Sequence, residues 1–373
     1  MDIVVLDVGT LNVRAGFAND IKPRAIVSPA VVGSIKQNVD GFNKRMYFGS
    51  DAVQLKDELE MSYPIGEGGG LILNWNNFES LLDYLFKTKL QIPIEEYGLM
   101  IADPPLNSRF SRQKLTELAF ERFGVTKFQL VSQPQLALYA AGRVNGLLLD
   151  CGHCTTTVAP VYDSVLLRNC IIQTSLAGNA ISNHLNNLMI HTNSYDLALT
   201  EEEIRTLKEK LCYVALDFER EEYSNVSKSL YLPGRAEPIQ LNNERYQSSE
   251  ILFSPTTYSG NYTNSDALHM LCLTVREQVS AFIGDINSRN LLANIVIVGG
   301  SSVFPGLKER LLKETSALSP YDADVKVLTP HGRNNASWIG GSILALQPYF
   351  KPLWITKTNY EDIGPNIVNI MEI

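Results

Sequence analysis

Residues 147–162 read LLLDCGHCTTTVAPVY, which is the pattern of a strand, a tight turn and a second strand. The three leucines form the unbroken apolar run expected of a strand covered on both faces. Gly152 can adopt the backbone angles that a tight turn requires, so Asp150 is predicted to lie where a buried strand ends. A carboxylate there is costly to remove from water unless a positive group or a hydrated metal ion neutralises it. The segment alone therefore fits either a metal-phosphate site or an aspartate that caps its own turn.

The same order of residues occurs at the start of the chain. Residues 4–10 read VVLDVGT and are followed by VRAGF at 13–17, which repeats the apolar run, the aspartate, the glycine and the return strand. We therefore expect two similar halves whose hairpins face each other. Their turn amides would form an anion cradle, to which we assign Thr10, Leu11, Asn12, Gly152, His153 and Cys154. Two carboxylates beside a phosphate-sized hole, Asp7 and Asp150, predict a magnesium nucleotide.

The bulk composition narrows the class of protein. A chain of 373 residues exceeds a typical single core, so two domains are expected. The net charge of −8 argues against a broad surface for nucleic acid or an anionic membrane. The sequence has no apolar stretch of membrane-spanning length and opens without the pattern of a signal peptide. We expect a cytoplasmic protein, with the nucleus or an organelle left open, and no direct nucleic-acid or membrane partner.

The five cysteines do not have the spacing of a disulfide framework, which suits a reducing compartment. One pair, in Cys151-Gly152-His153-Cys154, matches a thiol–disulfide exchange motif. In such enzymes the first cysteine opens a helix that lowers its thiol pKa. Here a β-branched run, Thr155-Thr156-Thr157-Val158, follows instead and predicts a strand. We therefore do not expect redox catalysis or a cysteine metal site.

Strands and helices are predicted to alternate, which indicates an α/β architecture. The patterns predict a helix over 76–90 capped by Asn74, a strand over 99–102, a helix over 115–123, a strand over 128–131, a capping box at Thr200, a helix over 268–282 and a buried strand over 295–298. Gln133 follows one strand and either orients a water or satisfies its loop. The pair Gly299-Gly300 either admits a base or sugar close to the backbone or simply makes the turn.

Several motifs in order along the chain resemble the actin family. LDVGTLNVRAGFA at 6–18 resembles the first phosphate loop of that family, DCGHCTTTVAPVY at 150–162 the second, and IVIVGGSSVFPG at 295–306 the adenosine motif. LKEKLCYVALDFE at 207–219, ASWIGGSILA at 336–345 and LWITKTNYEDIGP at 353–365 are similar to actin nearly letter for letter. The resemblance runs from Asp7 to about Val368 and identifies an actin-like or actin-related protein.

This resemblance implies an α/β fold of two ribonuclease-H-like lobes around a central nucleotide cleft that holds Mg-ATP. Residues 1–140 and 336–373 would form an outer lobe, with 30–66 as an exposed subdomain. Residues 141–335 would form an inner lobe, with 179–260 as an inserted subdomain.

The resemblance also implies roles for individual residues. Asp7 and Asp150 would hold the hydrated magnesium, Thr10 and Arg14 would meet the phosphates, and Gln133 would position the attacking water. The residues that would bind the remaining parts of the nucleotide are Thr155 in the second loop and Gly178, Arg205, Lys208, Glu209, Gly299, Gly300, Ser301 and Phe304 around the sugar and base.

Four residues depart from the family pattern. His153 stands where a second magnesium-side aspartate is usual, and Thr157 replaces a histidine of the catalytic water network. A threonine can hydrogen-bond a water but cannot take up its proton near neutral pH. Arg14 replaces a lysine and is bulkier and forked, and Leu11 replaces a glycine of the first loop. We therefore expect nucleotide binding to persist and hydrolysis to be slow.

The expected partners are other copies of this chain or other actin-family subunits. The excursion within residues 33–49 is shorter and more polar than the subunit-contacting loop of the family, and residues 253–266 replace an apolar plug with a polar sequence. Partner helices would bind an apolar groove near Tyr139, Ala140, Leu344 and Leu353. Two functions stay open: a nucleotide-stabilised structural subunit of a filament or larger assembly, and a dynamic ATPase that polymerises and turns over.

Overall fold

The computed structural model describes residues 2–36, 45–66, 68–192, 199–222, 224, 227–258 and 262–372. The tip of the excursion within 33–49, parts of the predicted inserted segment 179–260 and the centre of 253–266 lie outside the described residues. The chain divides into two units. Unit 1 comprises Met1–Val144, Ser164–Leu166 and Asn335–Ile373, and unit 2 comprises Asn145–Asp163 and Leu167–Asn334.

The strands are short and are numbered here in chain order. They are β1 Ile3–Val8, β2 Val13–Phe17, β3 Ala25–Val27, β4 Val32–Ile35, β5 Met46–Phe48, β6 Leu59–Ser62, β7 Gly98–Asp103, β8 Lys127–Ser132, β9 Gly146–Cys151, β10 Thr156–Tyr162, β11 Val165–Leu166, β12 Ile172–Thr174, β13 Lys228–Leu230, β14 Ile239–Leu241, β15 Ile295–Val298, β16 Val327–Leu328 and β17 Ile355–Thr356.

The α-helices are numbered in the same way. They are α1 Ser50–Gln54, α2 Trp75–Tyr84, α3 Arg109–Glu117, α4 Gln133–Ala140, α5 Gly178–Thr192, α6 Glu201–Leu211, α7 Phe218–Glu221, α8 Glu244–Glu250, α9 Leu268–Ile283, α10 Asp285–Leu292, α11 Leu307–Leu318, α12 Ala336–Leu344, α13 Lys357–Ile363 and α14 Ile367–Ile370. No helix in the described parts of the chain is both long and apolar enough to cross a membrane.

Unit 1 is built on a six-stranded sheet in the order β17-β8-β7-β1-β2-β3. β1 runs antiparallel to β2 and parallel to β7, and β7 runs parallel to β8. Every residue of β1 is buried, as expected of a strand with both faces covered. A separate three-stranded sheet, β5-β4-β6, holds part of the predicted exposed subdomain.

Unit 2 repeats this order. β9 runs antiparallel to β10 and parallel to β15, β15 runs parallel to β16, and β12 adds to the other edge of β10. The series β12-β10-β9-β15-β16 thus matches β3-β2-β1-β7-β8 in both order and direction. The predicted pair of similar halves is confirmed as a repeated sheet topology.

The predicted helices form, with bounds that differ at their ends. Asn74 caps α2 by accepting a hydrogen bond from the Asn77 amide, as predicted, but the last part of that element is a π-helix over Leu85–Leu90. The helix predicted over 115–123 begins earlier, at Arg109, because Ser108 caps it. Its first turn has Phe110 as its single apolar residue, so apolar periodicity did not reveal it. The capping box at Thr200 is confirmed, with Glu203 as its partner.

Candidate functional site

Asp7 lies in a polar cluster at the β1–β2 hairpin of unit 1. The strand register places Asp7 directly opposite Arg14. Arg14 Nη1 donates to Asp7 Oδ2 at 3.2 Å, and Gln133 Nε2 donates to Asp7 Oδ1 at 3.2 Å. Asp7 is only 6% exposed. The positive group that neutralises this buried carboxylate within the protein is therefore Arg14, while Gln133, the first residue of α4, brings its amide to the same carboxylate.

The connection between β1 and β2 is a tight loop that contains Thr10, Leu11 and Asn12. The Gly9 amide donates to the Asn12 carbonyl at 3.0 Å, which closes the turn. The Leu11 carbonyl accepts from the Ala30 amide at 2.8 Å, which ties the loop to the segment that leads to β4. A methyl group on Gly9 would lie 3.1 Å from the Asn12 carbonyl oxygen. The loop is therefore compact and held in one conformation.

Unit 2 contains the equivalent hairpin. Asp150 of β9 lies directly opposite Thr157 of β10, as Asp7 lies opposite Arg14 in unit 1. The Gly152 amide donates to the Thr155 carbonyl at 2.9 Å. This contact corrects one prediction, because the Gly152 amide is engaged within its own turn, as the Gly9 amide is, instead of pointing into an anion cradle.

Backbone and side chains from three parts of unit 2 meet beside this turn. The Gly152 carbonyl accepts from the Gly178 amide at 3.1 Å and from Ser301 Oγ at 2.8 Å. The Gly178 carbonyl in turn accepts from Lys208 Nζ at 2.7 Å. The second loop, the start of α5, the middle of α6 and the turn after β15 are thereby brought together. Gly152, Gly178, Lys208 and Ser301, which were assigned from motifs far apart in the sequence, lie in one cluster.

Burial strongly lowers the pKa values of two basic groups in this cluster. Lys208 is 4% exposed, and burial lowers the pKa of its ammonium group to about 8. His153 is half-buried, and burial together with the positive charges of Lys208 and Arg205 lowers its pKa to about 4. His153 is therefore neutral near pH 7, and the nearby basic groups provide a positive field suited to an anion.

The glycine pair after β15 has two different roles. Gly299 has φ of +90°, and a methyl group there would lie 2.3 Å from Asp150 Oδ1 and 2.4 Å from the Cys151 carbonyl oxygen. Only glycine allows this backbone to pass so close to the hairpin. Gly300 faces open space, with nothing within 4 Å of an added methyl group. The first glycine is thus required for packing, whereas the second leaves room.

The other assigned residues lie around the same elements but differ in exposure. Arg205 and Glu209 lie on α6, the former half-buried and paired with Glu202 at 3.4 Å, the latter exposed. Phe304 is 7% exposed and packs in the hydrophobic core of unit 2. Its side chain therefore supports the turn from within the core, and the expectation that it lines a sugar and base stays a prediction.

The cysteine pair has the geometry of a structural site. Cys151 ends β9 and does not open a helix. Cys151 and Cys154 are both buried and not disulfide-bonded, and burial raises the pKa of the Cys151 thiol well above its usual value. The expectation against redox catalysis stays a prediction.

Three polar residues that sequence reasoning did not single out also contact the site. Gln173 of β12 donates from Nε2 to Thr157 Oγ1 at 3.0 Å. The Asn179 amide donates to the His153 carbonyl at 2.6 Å, and the Arg333 carbonyl accepts from the Gly299 amide at 3.0 Å. No local motif marks them, because each contact depends on which strands and loops become neighbours in the fold.

Two features of the cluster of unit 2 bear on the expected binding of a nucleotide. A methyl group on Gly178 would lie 2.5 Å from Ser301 Oγ and 3.4 Å from Lys208 Nζ, so the residue must be glycine for these groups to converge. The nearby ionisable groups include Lys208, Arg205 and the neutral His153, with Glu209 as an acidic neighbour of Lys208, and the two basic groups suit an anion. Among the described residues, no three His, Cys, Asp or Glu side chains form a group that could hold a metal ion.

The sequence model of the Actin family matches residues 1–371. The chain belongs to the actin family. Members of this family generally bind a nucleotide with a divalent cation, and they associate with themselves or with other members. The predicted family and fold class are therefore confirmed, and the chain is an actin-like protein of a nucleotide-binding family.

The predicted partner groove needs one correction. Leu344 is 2% exposed and packs in a core cluster with Trp338 and Phe350, so it does not offer a surface to a partner. Tyr139 and Leu353 are partly buried against the same cluster, and Ala140 is half-buried beside them. The large apolar side chains exposed in this region are instead Ile343, Leu346 and Tyr349.

Proposed function

We propose that this chain is an ATP-binding structural subunit of a filament or multi-protein assembly, in which bound Mg-ATP stabilises the folded protein and hydrolysis is slow. The observation that carries the proposal is the cluster around Gly178, where Lys208 and Ser301 converge on the turn after Asp150. Asp7 and Asp150 would hold the hydrated magnesium, which would neutralise phosphate charge. Cytoplasmic and cytoskeletal locations fit this role, with the nucleus as a further possibility.

Slow hydrolysis is supported by two residues. His153 is neutral near pH 7 because its pKa is about 4, so its position supplies neither the negative charge of an aspartate nor a positive charge. Thr157 has a hydroxyl group that can orient a water but cannot accept its proton near neutral pH. Catalysis would therefore depend on positioning and charge neutralisation alone.

The alternative function is a dynamic ATPase that polymerises and turns over. Gln133 favours it, because its amide is fixed on Asp7 at 3.2 Å and could orient a water beside the first phosphate loop. The two functions predict different rates of ATP conversion and different assembly behaviour.

The first experiment is to purify the protein, extract its bound nucleotide and follow the conversion of ATP to ADP in a single turnover. Retained ATP with little conversion would support the structural subunit. Rapid conversion would move the dynamic ATPase to first place. A protein without nucleotide that also fails to bind added Mg-ATP would refute the site assignment while leaving the fold intact. Gly178→Ala is the binding-deficient control, because its methyl group would collide with Ser301 Oγ.

Assembly is measured separately by sedimentation over a range of protein concentrations with magnesium and salt. A subunit that needs other proteins would stay small at every concentration, whereas a self-assembling protein would sediment above a critical concentration. Comparison of ATP with a non-hydrolysable analogue would show whether any assembly depends on hydrolysis.

A further inference from the structure

We propose that Gln173 is a positioning residue for ATP hydrolysis, which orients the Thr157 hydroxyl group so that its proton is donated toward the Asp150 side of the sheet. This inference rests on the proposed nucleotide site and deepens it. It concerns three residues of unit 2 that lie on three adjacent strands.

The strand register defines a polar row. Thr157 on the central strand β10 lies directly opposite Asp150 on β9 and directly opposite Gln173 on β12. Residues directly opposite each other in antiparallel strands have their side chains on the same face, with Cβ atoms about 4.5–5.5 Å apart. The row therefore has the order Asp150, Thr157, Gln173 on one face. A methyl group added to Gly299 would lie 2.3 Å from Asp150 Oδ1. The Asp150 end of the row therefore adjoins the glycine pair of the candidate site.

The hydrogen bond within the row has a direction. Gln173 Nε2 donates to Thr157 Oγ1 at 3.0 Å. A hydroxyl group has one proton to donate and lone pairs to accept with. Because Gln173 occupies a lone pair on one side of Thr157, the hydroxyl proton is free to point to the other side, where Asp150 lies. Thr157 is 8% exposed and β-branched, so its rotamer is restricted as well.

The reaction that this geometry would assist is the hydrolysis of ATP. The oxygen of a water forms a bond to the γ-phosphorus while the bond from that phosphorus to the β–γ bridging oxygen breaks. The bridging oxygen leaves with ADP, and the proton of the water passes to the released phosphate or to solvent. Thr157 keeps its proton throughout and donates a hydrogen bond to the water or to a phosphate oxygen, which places the reacting atoms.

The test compares Gln173→Met, Thr157→Val and the double variant with the wild-type protein. Methionine is similar in size to glutamine but cannot donate to Thr157, and valine removes only the hydroxyl group. We expect Gln173→Met to slow the single turnover of bound ATP about fivefold, since a net hydrogen bond is worth roughly 1 kcal/mol. We expect the double variant to be no slower than Thr157→Val, because Gln173 acts through that hydroxyl group.

A second readout does not depend on turnover. The affinities for ATP and ADP should change less than about twofold in Gln173→Met, while the affinity for ADP with aluminium fluoride, which imitates the transferred phosphoryl group, should fall about as much as the rate.

Gln240→Met, which alters an exposed glutamine on β14 of the same unit, is the matched control and should match wild type in all measurements. Gln173→Glu is the second variant. Its carboxylate would accept a hydrogen bond from the Thr157 hydroxyl group, which would turn the hydroxyl proton away from the Asp150 side and slow hydrolysis further than methionine does.

Three results would overturn the inference. In the first, Gln173→Met converts bound ATP at the same rate as wild type. In the second, the double variant is slowed by the product of the two factors by which the single variants are slowed. In the third, the wild-type protein holds ATP and does not convert it. A wild-type protein that binds no nucleotide would instead refute the proposed function itself, and the inference with it. Binding and turnover measurements therefore distinguish the two failures.

Discussion

At the scale of single residues, alanine is expected to have different effects on stability at the two adjacent glycines after β15. Gly299→Ala should be strongly destabilising, by about 3 kcal/mol or more, because its methyl group would lie 2.4 Å from the Cys151 carbonyl oxygen and its φ is +90°. Gly300→Ala should change the free energy of unfolding little, since nothing lies within 4 Å of the new methyl group. Urea unfolding of both variants checks this. Equal losses of stability would contradict the close approach at Gly299.

Lys208 is expected to favour nucleotide binding and to lower the stability of the protein without nucleotide. Its pKa of about 8 lies below its unfolded value, so the unfolded chain binds more protons between about pH 8 and 10.5 and stability rises with pH in that window. Below pH 8 the folded protein bears the full cost of burying the charged ammonium group, on the order of 3 kcal/mol. Lys208→Met should therefore be no less stable than wild type at pH 7 without nucleotide, since the Gly178 carbonyl keeps Ser182 as a donor.

The same variant should weaken ATP binding at least about tenfold, because it removes the buried positive charge beside the second loop. Thermal unfolding without nucleotide and titration with a fluorescent ATP analogue measure the two effects. Lys210→Met, at an exposed position of the same helix, is the control and should leave both unchanged. A Lys208→Met protein that unfolds readily yet binds ATP normally would show that the lysine is structural.

At the scale of elements, the position of α6 depends on Glu203. Its carboxylate accepts from the Thr200 amide in the capping box and from Arg235 Nη2 at 2.9 Å, and Arg235 is the main cause of its lowered pKa of about 2. An acid whose pKa is lower in the folded protein than in the unfolded chain stabilises the fold at any pH above its unfolded pKa, which is near 4.3 for glutamate. This stabilisation is lost as the pH falls toward 2.

Glu203→Gln should thus lose about 1–2 kcal/mol of unfolding free energy at pH 7, and its difference from wild type should shrink as the pH is lowered toward 2. Glu202→Gln alters the neighbouring exposed carboxylate and should have little effect. Urea unfolding at several pH values measures both variants. A Glu203→Gln deficit that is constant with pH would rule out the charge of Glu203 as its cause.

At the scale of the whole molecule, bound Mg-ATP should raise the thermal stability of the protein. A ligand that binds only the folded state stabilises it by about 2.7 kcal/mol at a hundredfold excess over Kd. Asp7→Asn in unit 1 and Asp150→Asn in unit 2 should each reduce the ATP-dependent rise in Tm, because both carboxylates are assigned to the hydrated magnesium, and EDTA should have a similar effect on wild type.

The measurement is the Tm of each protein with and without Mg-ATP, so that any change in the nucleotide-free baseline is subtracted. Asp51→Asn and Asp324→Asn, at exposed positions of units 1 and 2, are the controls and should keep the full rise. A reduced rise for only one of the two hairpin aspartates would argue against the assignment of the other aspartate to magnesium.

The sequence by itself determined the class of fold, the family and the two hairpins. Apolar runs, an aspartate and a turn glycine are local signals that repeat in order, and they predicted Asp7 and Asp150 on equivalent strands. Gly152 and Gly299 were also recognisable, because glycine at a turn reflects the local backbone. The partly polar helix α3 was placed too late, since its first turn lacks the apolar periodicity used to find it.

Only the tertiary structure decided what each assigned residue contacts. Gln173 meets Thr157 because β12 joins β10 in one register, and Lys208 reaches the Gly178 carbonyl because α6 packs beside the start of α5. Phe304 and Leu344 proved to be core residues for the same reason. Burial, strand register and the pKa values that follow from them depend on residues distant in the chain, so no local pattern of the sequence contains them.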